Sequence, residues 1–333
     1  MPQPPVPTGL APGHRPLGQD DPRRIGRYRL TAVLGQGGMG TVYLGRSPGQ
    51  RLVAVKIVRP ELAEDPVFRR RFAHEIEAAG LVGGFHTASV VDADPHGDPP
   101  WLATEYIPGP SLQDVLEQQG ALPPRTLHTL AVGVAEALEH IHVCGIVHRD
   151  LKPGNIIVAD TGPRIIDFGI ARALDSTRLT GTGYVIGTQG FLAPEQLTGA
   201  SITRAADLYA YGMVLCHAAG AAPLADGESL ASALGLLPAR FAGVITRCLD
   251  HDPGRRPTAT QVLDLLAPNV PSTGDWLPLP VRRWSACTTR RLPRHREPWV
   301  SSAAGGRRAS VTAAQRPRSW TELPKRRRAR VPV

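Results

Sequence analysis

The chain has 333 residues, 42% of them hydrophobic, so it can bury a sizeable core and exceeds one average domain. Its net charge of +9 is unevenly placed: residues 1–267 hold 23 Lys+Arg against 26 Asp+Glu (−3), and residues 268–333 hold 15 against 3 (+12). The body is therefore nearly neutral, and a reading as a nucleic-acid binder rests on the tail alone. Four cysteines without paired spacing (Cys144, Cys216, Cys248, Cys287) exclude a disulfide or zinc framework and read as reduced thiols in a cytoplasmic protein.

Residues 1–24 are rich in Pro, Gly and charge, show no signal-peptide pattern, and are expected to form a disordered leader. Alternation of apolar and polar residues begins at Ile25 and leads into Leu34-Gly35-Gln36-Gly37-Gly38-Met39-Gly40-Thr41-Val42-Tyr43. A lone G-x-G-x-x-G is a weak signal, and its dinucleotide-binding meaning needs a helix to follow. Here β-branched, alternating residues follow, so a second strand is predicted. Such a glycine-rich hairpin can lay backbone N–H groups over ATP phosphates, because no side chains block the approach.

Val53-Ala54-Val55-Lys56 is the next strand. A lysine there is either a snorkelling edge residue or, given the glycine loop before it, a ligand of phosphates. Asp65-Pro66 is a helix start, with Phe68, Phe72 and Ile76 on one apolar face and Glu75 and Glu77 as carboxylates that could fix Lys56. Arg69-Arg70-Arg71 reads as a solvent face. A strand is predicted over 101–105 and a helix from Ser111, where Asp114 is a weak candidate for a ribose or substrate contact. The stripe Leu127, Leu130, Val134, Leu138 and Ile141 predicts a long helix over 126–143. Its histidines, His128, His140 and His142, read as surface or packing residues rather than metal ligands.

That helix delivers the chain to His148-Arg149-Asp150-Leu151-Lys152-Pro153-Gly154-Asn155, with Asp167-Phe168-Gly169 downstream. Two carboxylates, an amide and a lysine on neighbouring loops suit phosphoryl transfer, in which negative charge spreads over three oxygens. Asp167 and Asn155 are hard oxygen ligands for Mg²⁺, with Mn²⁺ as an alternative. Asp150 can accept the proton of an attacking hydroxyl, and Lys152 can neutralise charge on the moving phosphate. With these motifs the chain resembles the bacterial Hanks-type (eukaryotic-like) serine/threonine protein kinases. Lys152 in L-K-P-x-N favours that branch over tyrosine kinases.

The resemblance covers about 25–268 and implies an α+β, two-lobed fold. An antiparallel sheet plus one helix would form an N-lobe over 25–107, and a mainly helical C-lobe would span 108–268. It implies ATP under Gly35, Gly37 and Gly40, with Lys56 on the phosphates and Glu75, rather than Glu77, holding Lys56. Backbone groups of Glu105 and Ile107 would meet the adenine edge with Thr104 behind it, and Val42, Ala54 and Ile157 would sandwich the base. Thr180 and Thr182 match the usual autophosphorylation pair, whose phosphate Arg149 would receive, and Thr188 would bond Asp150 and Lys152. Asp207 matches the carboxylate that pins the catalytic loop, and Arg256 the arginine that pairs with Glu195.

The chain departs from the pattern between Gly212 and Cys248, where Ala222-Pro223-Leu224 replaces a bulkier Pro-Phe and the following region is short. Protein substrates with Ser/Thr acceptors dock there in the family. A pseudokinase scaffold that binds ATP but recruits substrate poorly is therefore the rival reading. The uncharged stretch 208–225 carries His217 and glycine and proline interruptions, and is read as a buried helix rather than a membrane span. Autophosphorylation would suit a homodimer formed through the N-lobe. The tail, 269–333, shows no apolar periodicity and is expected to be disordered. It reads as a solvated charged tail, as a contact for nucleic acid or an acidic membrane with Trp276, Trp284, Trp299 and Trp320 as anchors, or as a displaced reading frame.

Overall fold

Alternation of side chains along Tyr28–Gly37 puts Tyr28 and Leu30 inside and Arg29 outside, and this strand organises the N-terminal sheet. The computed structural model describes residues 14–167, 189–221, 230–266, 276–282 and 284. Seven antiparallel strands join: β1 (Arg15–Pro16), β2 (Arg24–Ile25), β3 (Tyr28–Gly37), β4 (Gly40–Arg46), β5 (Leu52–Val58), β6 (Val90–Asp94) and β7 (Trp101–Glu105). Their order is β1-β3-β4-β5-β7-β6, with β2 also on β3. Tyr28, Tyr43, Val55 and Trp101 fill one face, with Tyr28 edge-on to Trp101 at 5.9 Å.

Helix α1 (Pro60–Ala63) leads to α2 (Pro66–Ala79). Helix α2 starts as expected: the Asp65 carboxylate accepts from the Val67 N–H at 2.7 Å, and proline occupies the first turn. Phe68, Phe72 and Ile76 are buried along its inner face, each phenyl contributing about 2–3 kcal/mol by leaving water. Glu75 is half-buried beside them and Glu77 is exposed.

The second lobe is helical around α4 (Pro124–Val143), which starts two residues before the predicted 126 and opens on a proline, a residue suited to a helix's first turn. Leu130, Ala131, Ala135, Leu138 and Ile141 are fully enclosed, and Tyr211 of the helix Arg204–Ala218 donates its hydroxyl to the Ala131 carbonyl at 3.1 Å. That second helix is fifteen residues long and lies in the core. No helix among the described residues is long and apolar enough to cross a membrane. Helix α3 (Leu112–Gln119) opens with a capping box: the Asp114 carboxylate accepts from the Ser111 N–H at 3.0 Å and Ser111 Oγ accepts from the Asp114 N–H at 3.1 Å. Asp114 is thus engaged in capping. A two-stranded hairpin, β8 (Ile156–Ala159) and β9 (Gly162–Ile165), follows the catalytic loop.

Two expected boundaries are corrected. Residues 14–24 are not a disordered leader: β1 and β2 extend the sheet edge, and Asp21 accepts from the Tyr43 hydroxyl at 2.9 Å and the Gly18 N–H at 2.7 Å. Backbone pairing, which needs no apolar periodicity, holds this segment. At the other end, the expected tail from 269 is ordered in part. Leu277 and Val281 are buried against the helical lobe, and the Trp276 carbonyl accepts from Thr126 Oγ1 at 2.8 Å. A few apolar side chains suffice, because the lobe supplies the rest of the seam.

Candidate active site

The catalytic loop is hung on one buried carboxylate. Asp207 accepts from the His148 N–H and the Arg149 N–H, both at 2.8 Å, and from His142 Nε2 at 2.8 Å. These bonds hold Arg149 at φ 65°, left-handed backbone that costs a residue with Cβ about 1–2 kcal/mol. His148 is fully enclosed, and burial lowers its pKa. Its ring matches the neutral form: Nδ1 accepts from the Asp150 N–H at 3.3 Å and Nε2 faces the Ile166 carbonyl at 3.3 Å.

On this frame the candidate groups converge. Lys152 Nζ donates to Asp150 Oδ2 at 2.9 Å, and Asn155 Nδ2 donates to the same oxygen at 3.1 Å and to the Asp150 carbonyl at 2.8 Å. Asp167, at φ 52°, meets Lys56 Nζ at 3.4 Å, bringing the strand lysine from the sheet to the helical lobe. Deeper in that lobe, Arg256 closes a two-pronged pair on Glu195 at 2.6 and 2.8 Å.

The glycine hairpin turns at Gly38-Met39, with Gly37 opposite Gly40. Side chains added at Gly35 or Gly37 would meet nothing within 4 Å, whereas a Cβ at Gly40 would lie 2.0 Å from the Ile57 carbonyl oxygen. The first two glycines leave the open approach that phosphates need. The third is required by strand packing.

A family model described as the protein kinase domain matches residues 28–265. The chain belongs to the protein kinase family. Within it, the kinase domain is of the bacterial Hanks-type serine/threonine branch. It is 50% identical over 275 residues to the probable serine/threonine-protein kinase PkwA of Thermomonospora curvata, covering 80% of this chain and 37% of that protein. It is 43% identical to the serine/threonine-protein kinase AfsK of Streptomyces griseus, covering 92% of this chain and 41% of that protein. The chain thus spans about two fifths of the length of these relatives. The crystal structure of the Mycobacterium tuberculosis PknI kinase domain superposes with a TM-score of 0.59 at 30% identity, covering 74% of this chain and 96% of that one.

Asp150, Lys152 and Asn155 come together on one loop. Asp167 follows Ile166, whose N–H donates to the Asn155 carbonyl at 2.9 Å, and pairs with Lys56. The expected Lys56–Glu75 clamp is not closed. Lys56 pairs with Asp167, and Glu75 Oε2 is buried with no hydrogen-bond partner. Burial therefore pushes the Glu75 carboxyl up to about 7, against the opposing pull of Arg149, Arg71 and Lys56. At the hinge, the Glu105 N–H already donates to the Ser89 carbonyl at 2.9 Å, so that N–H is not available to an adenine edge. Val42, Ala54 and Ile157 are half-buried; Val42 lies opposite Lys56, and Ala54 opposite Thr104. Ile107 is buried with Ala88 and Ala159.

Phe168, Gly169, Thr180, Thr182, Thr188 and Ala222-Pro223-Leu224 lie outside the described residues. Sequence reasoning missed the tie from His142 to Asp207 and the neutral, enclosed His148. A helix stripe shows which face a histidine takes but not the carboxylate, 65 residues on, that meets it. The motif around His148 held the only available signal.

Proposed function

We propose that this kinase domain transfers the γ-phosphoryl group of ATP to serine and threonine hydroxyls of proteins, and to Thr180 or Thr182 of its own activation segment. The reading rests above all on Asp150, whose Oδ2 is gripped by Lys152 and Asn155 at 2.9 and 3.1 Å. That grip fixes the direction of the carboxylate that would accept a proton from an alcohol, so positioning supplies much of the rate. Lys152, beside the base, is placed to balance charge on the transferred group.

The donor set suits Mg²⁺. Mg²⁺ is held by one or two protein oxygens together with substrate phosphates. Asn155 spends its amide nitrogen on Asp150, so its Oδ1 is the atom left for a cation, and the half-exposed Asp167 carboxylate would be the second ligand. Bound there, Mg²⁺ would neutralise the phosphates and leave the leaving oxygen less basic. Lys56 would orient the α and β phosphates beneath the open Gly35 and Gly37 positions, with Gly40 keeping the hairpin tight against β5. Glu75 would swing to Lys56 once phosphates draw that lysine from Asp167.

The test is incubation of the full chain with MgATP, with phosphopeptide mass spectrometry at Thr180 and Thr182 and transfer to a generic protein acceptor. Asp150→Asn is expected to lower the rate about 10²–10⁴-fold while ATP still binds. Labelling that persists at the wild-type rate in that variant would remove the mechanism. ATP binding with no transfer by the wild-type chain would make the domain a scaffold.

A further inference from the structure

The hairpin β8–β9 carries a candidate metal ligand at each end: Asn155 immediately precedes β8, and Asp167 lies two residues beyond β9. The hairpin belongs to no larger sheet. Its strands are held by the Val158 N–H on the Pro110 carbonyl at 2.9 Å, the Ile165 N–H on the His86 carbonyl at 2.8 Å, and the burial of Ile156, Val158 and Ile165. Trp276 caps the turn itself: its indole N–H is shared between the Ala159 and Asp160 carbonyls, 3.1 Å to each. The same residue's carbonyl is tied to Thr126 at the start of α4, and Leu277 and Val281 are buried beside it in a seam with Leu112, Val115, Leu130 and Val158.

We propose that Trp276 is a positioning residue for the phosphoryl-transfer site, acting through the hairpin on the spacing of Asn155 and Asp167. The proposal rests on reading those two residues as the Mg²⁺ ligands. Trp276 lies beyond the family match, which ends at 265, so this brace lies outside the segment the kinase-domain model describes. The ladder from Ala159–Gly162 to Ile156–Ile165 is continuous, and at its base the Ile166 N–H donates to the Asn155 carbonyl at 2.9 Å. A tilt of the unbraced tip is therefore passed along two hydrogen-bonded strands to both ligands at once.

The experiment compares the full chain with Trp276→Phe, which keeps a ring but removes the N–H donor, and with Trp276→Ala. Hydrogen exchange is measured without nucleotide, and the Mg²⁺ dependence of transfer is measured at saturating ATP. In Trp276→Phe, amides of residues 156–165 are expected to exchange about tenfold faster, the effect of about one net hydrogen bond, with those of α4 and Arg204–Ala218 unchanged. The Mg²⁺ needed for half-maximal rate should rise about three- to tenfold at an unchanged limiting rate, below or at the low end for outer-sphere partners of metal ligands. Unchanged hairpin exchange, loosening spread equally over the lobe, or an unmoved Mg²⁺ curve in an active enzyme would overturn the proposal. If Trp276→Ala does not fold, the Phe variant carries the comparison. If the wild-type chain transfers no phosphate, the kinase reading fails on its own, and hairpin exchange alone supports or overturns the brace.

Discussion

The catalytic loop and the Lys56 side of the cleft are built on opposite plans. Around Asp150, every contact is already made: Asp207 holds two backbone N–H groups and His142, and Lys152 and Asn155 hold Asp150 itself. Across the cleft, Lys56 leans on Asp167 while Glu75 sits half-buried with its Oε2 lacking a hydrogen bond. Under the proposed function, with Asp150 as base and Lys56 on the phosphates, the difference follows from when each group would be needed. A base must be aimed before the alcohol arrives, since reorganising it during the reaction would add to the barrier. The phosphate clamp gains its strongest partners only from the nucleotide, so an arrangement that relaxes without one costs the domain little.

The comparison breaks most sharply at Asp207. Its replacement by alanine strands two backbone donors and an imidazole in a dry interior, and is expected to cost about 3–5 kcal/mol, read as a lowered denaturation midpoint. A loss below about 1 kcal/mol would mean that the loop is held by other contacts. The glycine hairpin comes next. Gly40→Ala drives a methyl into the Ile57 carbonyl and should cost about 1–3 kcal/mol, whereas Gly37→Ala should leave the melting temperature unchanged and weaken ATP binding in calorimetry. Equal effects at the two positions would erase the distinction between packing and ligand glycines.

Glu75 gives the smallest effect and the most direct view of the open side. Its folded pKa of about 7 exceeds the ordinary 4.5, so the folded chain keeps a proton that the unfolded chain releases between those values. Stability from this group therefore falls as pH rises from about 4.5 to 7. Because the site is partly exposed, solvent screening holds the loss to about 1 kcal/mol. Glu75→Gln should remove this slope, leaving the variant more stable than wild type at pH 8 and equal to it at pH 4.5 in urea titrations. Saturating MgATP should shrink the difference, as Lys56 turns to the carboxylate.

Much of this molecule was legible from local pattern. Asp65-Pro66 forced a helix start because its capping chemistry spans three residues. The stripe of α4 forced a buried helix, and the linear motifs placed Asp150, Lys152 and Asn155 within one short loop. Apart from Asp114, whose partner Ser111 is three residues away, the errors lie where the deciding partner is remote. Residues 14–24 showed no periodicity, yet pair with a strand edge. Asp114 offered a carboxylate that its own helix start consumed. Residues 276–284 read as part of a charged tail because their apolar partners sit 110 to 170 residues earlier.

Sequence alone carried the linear motifs whose resemblance implied the kinase family and its two-lobed fold, and it placed the starts and buried faces of α2 and α4, because motif spacing, capping and periodicity act over a few residues. Only the tertiary structure decided that Lys56 pairs with Asp167 rather than Glu75, that His142 joins Asp207 beneath the catalytic loop, and that Trp276 caps the hairpin turn. Those outcomes depend on burial and on which groups meet across long stretches of chain, and a carboxylate's partner is chosen by that geometry rather than by its neighbours in sequence.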